Sequence, residues 1–120
     1  MKRLKLSESK FEQRESYERS VLFTTDDFGI NTKVQLMRIP QNGGIRSHHH
    51  DVRTECLKIL SGDGTIKVNG EIAASSPDDI VLIQPGDVHE FINNSGTEPF
   101  TFLVIRTSDP THDDMIFEES

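Results

Sequence analysis

Histidine is the residue type here with the widest chemical reach, and its five copies are unevenly placed: His48, His49 and His50 are consecutive, with His89 and His112 apart. On an extended strand successive side chains alternate, which puts His48 and His50 on one face and His49 on the other. Two imidazoles at i and i+2 can converge on one ion through bonds of roughly 2.0–2.1 Å. Glu55 opens the next apolar run and can return a carboxylate to the same side. The segment Pro85-Gly86-Asp87-Val88-His89 delivers a further histidine at the start of another run. His49 should face away from such a centre, and His112, among acidic residues, should be solvated. Cys56 directly follows Glu55 and should point the opposite way, into outer packing, with no base beside it to activate the thiol.

These residues lie in a β-rich texture. Runs suited to strands are Val21–Thr25, Lys33–Ile39, Ile45–His50, Glu55–Leu60, Thr65–Asn69, Glu71–Ala73, Ile80–Gln84, His89–Asn93 and Phe100–Arg106. Between them fall the turn signals Asn42-Gly43-Gly44, Ser61-Gly62-Asp63-Gly64, Asn69-Gly70, Pro77-Asp78-Asp79 and Asn94-Ser95-Gly96. Asn69-Gly70 suits a two-residue hairpin, because a type I′ turn needs positive φ at both central positions. Roughly eight or nine short strands, about ten residues apart, predict a closed barrel or sandwich. No helical pattern alternates with them, which excludes α/β architectures. Phe100, Phe102 and Val104 alternate as a buried face would. Residues 1–22 form an N-terminal arm or edge strand, residues 23–108 the barrel, and residues 109–120 an acidic tail. That tail is either a solubilising end or a lid over the barrel mouth.

The stretch Gly43…His48-His49-His50-Asp51-Val52-Arg53-Thr54-Glu55…Gly62 resembles the first cupin motif, HxH followed by four residues and Glu, then six residues and Gly. The stretch Asp79-Ile80-Val81-Leu82-Ile83-Gln84-Pro85-Gly86-Asp87-Val88-His89…Asn93 resembles the second, PxGxxH followed by three residues and Asn. Two departures stand out: Gly43 is one residue closer to the first histidine than in the family, and Gln84 stands where proline is usual. The resemblance implies an all-β, single-domain double-stranded β-helix of the jelly-roll kind. It also implies that His48, His50, Glu55 and His89 are the ligands of one divalent transition metal ion per chain. Three neutral imidazoles and a carboxylate suit Fe, Mn, Ni, Cu or Zn, and fit Ca or Mg poorly. In an octahedral site they leave two adjacent positions open, the form associated with catalysis.

Other residues compete for a place beside that centre. Arg46 precedes His48 by two, so an unbroken strand would turn it toward the metal, where it could grip an anionic group; otherwise it is a rim arginine. Arg38 and Lys58 are weaker versions of the same idea. Phe91 and Asn93 share a face with His89, as pocket wall or as barrel filling.

Charge and composition set the remaining bounds. The chain has 120 residues, 13 Lys and Arg against 20 Asp and Glu, and a formal net charge of −7. No cationic cluster is present to displace counterions, so nucleic acid is not an expected partner. A single cysteine excludes an internal disulfide or a Cys-built metal site and fits a reducing cytoplasm. No apolar run approaches a membrane span, and Met1 opens no secretory signal. Three functions then remain open: a small metalloenzyme (dioxygenase, isomerase or epimerase, decarboxylase or lyase) on a small anionic or carbohydrate-derived metabolite, a non-catalytic small-molecule binding module, and a structural barrel. Single-domain cupins commonly pair, so the resemblance implies a homodimer, with Tyr17 to Thr25 as a strand lent to the other copy.

Overall fold

A computed structural model describes residues 1–108 and 115–118. The long runs alternate inward apolar and outward polar side chains, and each becomes a strand whose inner face packs against the opposite sheet. One sheet holds β1 (Glu12–Gln13), β2 (Glu18–Phe23), β3 (Thr32–Ile39), β5 (Thr54–Ser61), β8 (Ile80–Ile83) and β10 (Phe100–Thr107), in the spatial order β1-β2-β3-β10-β5-β8. The other holds β4 (Gly44–His49), β6 (Gly64–Val68), β7 (Glu71–Ala74), β9 (His89–Asn93) and β11 (Ile116–Phe117), in the order β11-β4-β9-β6-β7. All pairings are antiparallel. Two antiparallel sheets with almost no helix make the expected all-β double-stranded β-helix.

The core between the sheets is built from Met37 and Ile39 of β3, Leu57 and Ile59 of β5, Ile66 of β6, Phe91 of β9, and Phe100, Phe102 and Val104 of β10. Phe100 and Phe102 are fully enclosed, each worth about 2–3 kcal/mol of burial. This hydrocarbon fills one part of the interior; the histidines occupy the other. Among the described residues no helix is long and apolar enough to cross a membrane.

Turn chemistry sets the registers. Asn69 and Gly70 have φ of 52° and 83°, the two positive values the hairpin between β6 and β7 demands. Gly62 is held at φ 94°, and a Cβ there would lie 2.3 Å from the Pro99 carbonyl oxygen.

Two expectations shift. The strand foreseen at Val21–Thr25 begins at Glu18 and stops at Phe23. Thr24 and Asp27 close a capping box there: the Thr24 N–H donates to Asp27 Oδ2 at 2.9 Å, starting the short helix α1 (Thr25–Phe28). The run expected to reach another copy instead pairs within its own chain, from Glu18↔Arg38 to Phe23↔Val34 along β3.

Gly62→Ala should therefore destabilise the protein by at least ~1–2 kcal/mol, combining left-handed strain with the collision at Pro99. Urea unfolding checks this, and an unchanged midpoint would mean that the turn relaxes freely.

Candidate metal centre

His48 of β4 lies directly opposite His89 of β9, and His50 follows where β4 gives way to the loop leading into β5. The ring centroids of His48 and His89 are 4.1 Å apart, with His50 5.3 Å from each. One ring nitrogen from each of the three falls within 4.8 Å of the others. All three side chains are at least 97% buried.

Their orientation follows from the backbone. His48 Nδ1 is 2.8 Å from the Arg46 carbonyl oxygen, and His89 Nδ1 is 2.9 Å from that of Asp87. A carbonyl only accepts, so each Nδ1 carries the proton and each Nε2 keeps its lone pair. His89 Nε2 is buried with no hydrogen-bond partner among the described residues. Burial pushes the His48 imidazole down to about 3, helped by the nearby His89, and burial also lowers His89. Both rings are thus neutral at physiological pH, as a metal ligand must be. Lone pairs from these two buried neutral imidazoles, with the His50 ring beside them, form a donor set that could hold a metal ion.

Glu55, the second residue of β5, is buried beside His50. Its Oε1 lies 2.9 Å from His50 Nε2 and 4.0 Å from Arg53 Nη1, while its Oε2 lies 3.8 Å from Arg106 Nε. Burial alone would raise this carboxyl, but the Arg106 charge and the His50 hydrogen bond outweigh it and hold it well below the usual carboxylate range. Arg106 is the lasting source of that effect at neutral pH, because a guanidinium never loses its proton. Below the imidazoles, Phe91 stacks on Phe102 at 4.9 Å and 18°, giving the cluster an apolar floor.

The family model described as a cupin domain matches residues 35–106, more than half of the chain. The chain belongs to the cupin family. No curated protein matches it, but solved structures share its fold. The polyketide cyclase RemF from Streptomyces resistomycificus superposes with a TM-score of 0.78 at 22% identity, over 99% of this chain and 87% of its own. A Thermotoga maritima protein described as a predicted oxalate decarboxylase gives 0.77 at 19% identity, over 90% of this chain and 100% of its own. A cupin-2 domain from Rhodospirillum rubrum gives 0.76 at 20%, over 98% and 80%.

Within this cupin the remaining candidates sort by where the strands turn them. His49 faces away from the cluster, its Nδ1 2.6 Å from Glu118 Oε1 and its Nε2 3.3 Å from Asp51 Oδ1. Phe91 is buried at the cluster's floor. Asn93 ties loops together instead of lining a pocket: its Nδ2 lies 2.8–3.2 Å from the carbonyls of Ile39, Pro40 and Glu98. Cys56 is half-buried on the outer face, between Glu55 and Leu57, which point inward. His112 lies outside the described residues.

Arg46 takes the second of its two expected places, the rim. The register slips by one residue between Ile45↔Phe91 and His48↔His89, a β-bulge that turns both Ile45 and His48 inward and leaves Arg46 exposed. Its guanidinium sits 3.8 Å above the Phe117 ring instead. Arg38 is likewise elsewhere, bonded to Glu18 and stacked on Phe11 at 3.7 Å. Lys58 bonds the Ile59 carbonyl.

Residues that sequence reasoning passed over replace them. Arg106 and Gln35 are buried on the inner faces of β10 and β3, and Arg53 is buried in the motif's own loop. The signal for Arg106 was present, since it extends the alternation of Phe100, Phe102 and Val104 by one more step. Phe117 was hidden in the acidic tail. β11 pairs with β4, setting Phe117 opposite His48 with ring centroids 5.9 Å apart, and the Glu118 N–H donates to the Ser47 carbonyl at 3.0 Å. A hollow of ≈ 940 Å³ is lined by Arg46, Ser47, Val88, Glu90 and Phe117 among others, but by none of the three histidines. Phe117 borders both that hollow and His48.

Acid should destabilise this cupin in a definite order when it is metal-free. Below about pH 6.5 the unfolded chain protonates histidines that the folded state keeps neutral, so stability falls with pH, by up to ~1.4 kcal/mol per unit for each such histidine. Glu55 acts lower down, contributing stability above about pH 4.5 that is lost as acid protonates it. His48→Gln should flatten the melting-temperature profile between about pH 7.5 and 5.5 relative to wild type. Equal slopes in the two proteins would contradict a buried neutral His48.

Proposed function

We propose that this cupin is a mononuclear metalloenzyme in which His48, His50, His89 and Glu55 bind one divalent transition metal ion and a small metabolite is transformed beside it. The observation that carries the reading is the convergence of three buried imidazoles, one of them 2.9 Å from a buried carboxylate. Ligand atoms in adjacent positions of a six-coordinate ion lie about 3 Å apart for bonds of roughly 2.1 Å, and His50 Nε2 and Glu55 Oε1 are separated by 2.9 Å. Such an ion supplies Lewis acidity toward a substrate oxygen, and iron would add O₂ chemistry.

The chain's own residues do the rest. The Arg46 and Asp87 carbonyls hold two imidazoles in the ligating tautomer. Glu55 brings one negative charge, and Arg106 keeps it available. Phe91 and Phe102 keep water from the underside of the cluster, which strengthens every charge interaction above them. Decarboxylation and ring-forming chemistry, taken from the descriptions of two structural neighbours, are the reactions to screen first.

One observation favours the second reading, a binding module without turnover: the imidazoles are almost wholly enclosed, and the large hollow beside them is not lined by them. Pairing of two copies belongs to the proposal as well. Leu82, Cys56 and Ile105 align across the outer face of β8, β5 and β10, and Ile80 and Leu82 are 70% and 59% exposed. A light-scattering mass near the 13.6 kDa of one chain would contradict a homodimer.

Elemental analysis of untagged protein should find near one Fe, Mn, Ni, Cu or Zn per chain. His50→Ala should lose it and Glu55→Ala should retain it poorly. An empty protein that also refuses added metal would overturn the enzyme reading. Metal-bound protein that saturates with a metabolite and forms no product would favour the binding module.

A further inference from the structure

The polar row beside the histidines does more than neutralise Glu55. Across β3, β10 and β5 the inner face carries Gln35, Arg106 and Glu55 in succession. Arg106 stands directly opposite Glu55, and Gln35 directly opposite Val104, one inward step away. Arg106 is 5% exposed and Gln35 is completely enclosed. The Arg106 Nη1 donates to Gln35 Oε1 at 2.8 Å.

That bond fixes the amide. A guanidinium has only donors, so the Gln35 oxygen must face it and the Gln35 NH₂ must point elsewhere. Gln35 Nε2 and Arg106 Nε are both buried with no hydrogen-bond acceptor among the described residues. Glu55 Oε2, at 3.8 Å from Arg106 Nε, is beyond hydrogen-bond reach. Two N–H donors, one of them cationic, are therefore withdrawn from water without an acceptor, which is costly unless some group answers them. Arg106 Nε lies 3.8 Å from Glu55, whose other oxygen is 2.9 Å from His50 Nε2, so the guanidinium faces the same interior as the imidazoles.

We propose that Arg106 and Gln35 form a carboxylate-recognition subsite beside the metal centre, and that the metabolite is a small carboxylic acid. This rests on the metalloenzyme reading above and names its substrate class. A carboxylate is acceptor-only and planar, and its two oxygens match two donors, one from the guanidinium edge and one from the amide. A phosphate, with three exposed oxygens and a larger charge, would leave acceptors unanswered. The floor of Phe91 and Phe102 offers no further polar partner, so the remainder of the acid is apolar or turned toward the ion. If Arg106 served only to hold Glu55 ionised, Gln35 would contribute nothing to ligand affinity.

The test uses Mn(II)-loaded full-length protein, with metal content measured on every sample, and pyruvate, succinate and benzoate as probes against their methyl esters. Binding is read by water-proton relaxation and by thermal shift. At least one acid should bind and its ester should not. Gln35→Met, which keeps the shape and removes the amide, should weaken that acid about tenfold or more. Gln35→Glu, which supplies Arg106 with an internal carboxylate, should abolish binding while full metal content is kept. Arg106→Lys, which keeps the charge and loses the fork, should restore little. Metal-loaded wild type that binds none of the acids, or Gln35 variants that bind them as well as wild type, would overturn the subsite. Wild type that takes up no manganese while still being stabilised by an acid, with that stabilisation lost in Gln35→Glu, would overturn the metal reading and uphold the subsite.

Discussion

An ionised carboxylate survives inside a protein only when its charge is answered at close range, and the placement of Glu55 governs much of this molecule. Glu55 is 2% exposed, with a guanidinium on either side and an imidazole within hydrogen-bond distance. Each of those neighbours is buried in turn. The interior therefore divides into a hydrocarbon part, dominated by Phe100 and Phe102, and a polar part that a bare hydrophobic collapse would never create. The polar part has to be held by registers: β10 places Arg106 opposite Glu55, and β9 places His89 opposite His48. A one-residue slip in either pairing would turn the polar groups it aligns to the wrong face.

The β4 strand does the most to shape the centre. Its bulge lets Ile45 serve the core and His48 serve the cluster, although they stand three positions apart and simple alternation would turn them to opposite faces. The edge that β4 would otherwise expose is covered by β11, which brings Phe117 against His48 and Glu118 against His49. The last described segment of the chain is thus part of the wall around the histidines.

Much of this was legible in the amino-acid order. The strands were readable because the inward positions of β3, β5 and β10 are mostly apolar at a period of two, and because Asn69-Gly70 and the Gly62 turn carry residues suited to positive φ. The inward pairing of His48 with His50 followed from the same period. The bulge was not readable: Arg46 and Ser47 carry no glycine or other mark of an inserted residue, and one such residue is enough to decide between the two places open to Arg46, the metal-facing side and the rim. Phe117 was invisible for a different reason. A two-residue strand flanked by acids has no periodicity, and only the free edge of β4 gives it a place. Arg106 and Gln35 were legible in principle, since they continue the inward alternation of Val104 and Met37, but a polar residue at an inward position is easily taken for the end of the buried face. The start of α1 shows the reverse case, in which Thr24 and Asp27 spell a capping box that local propensity for a strand obscured.

The most direct measurement is X-ray absorption at the metal edge of protein loaded with a single transition metal. The account predicts three imidazoles and an oxygen-donor shell at about 2.0–2.2 Å, and one imidazole fewer around whatever metal His50→Ala, which does not retain its own on purification, takes up from excess. A shell of oxygens alone, or one with the same imidazole count in wild type and variant, would contradict a centre built on His48, His50 and His89.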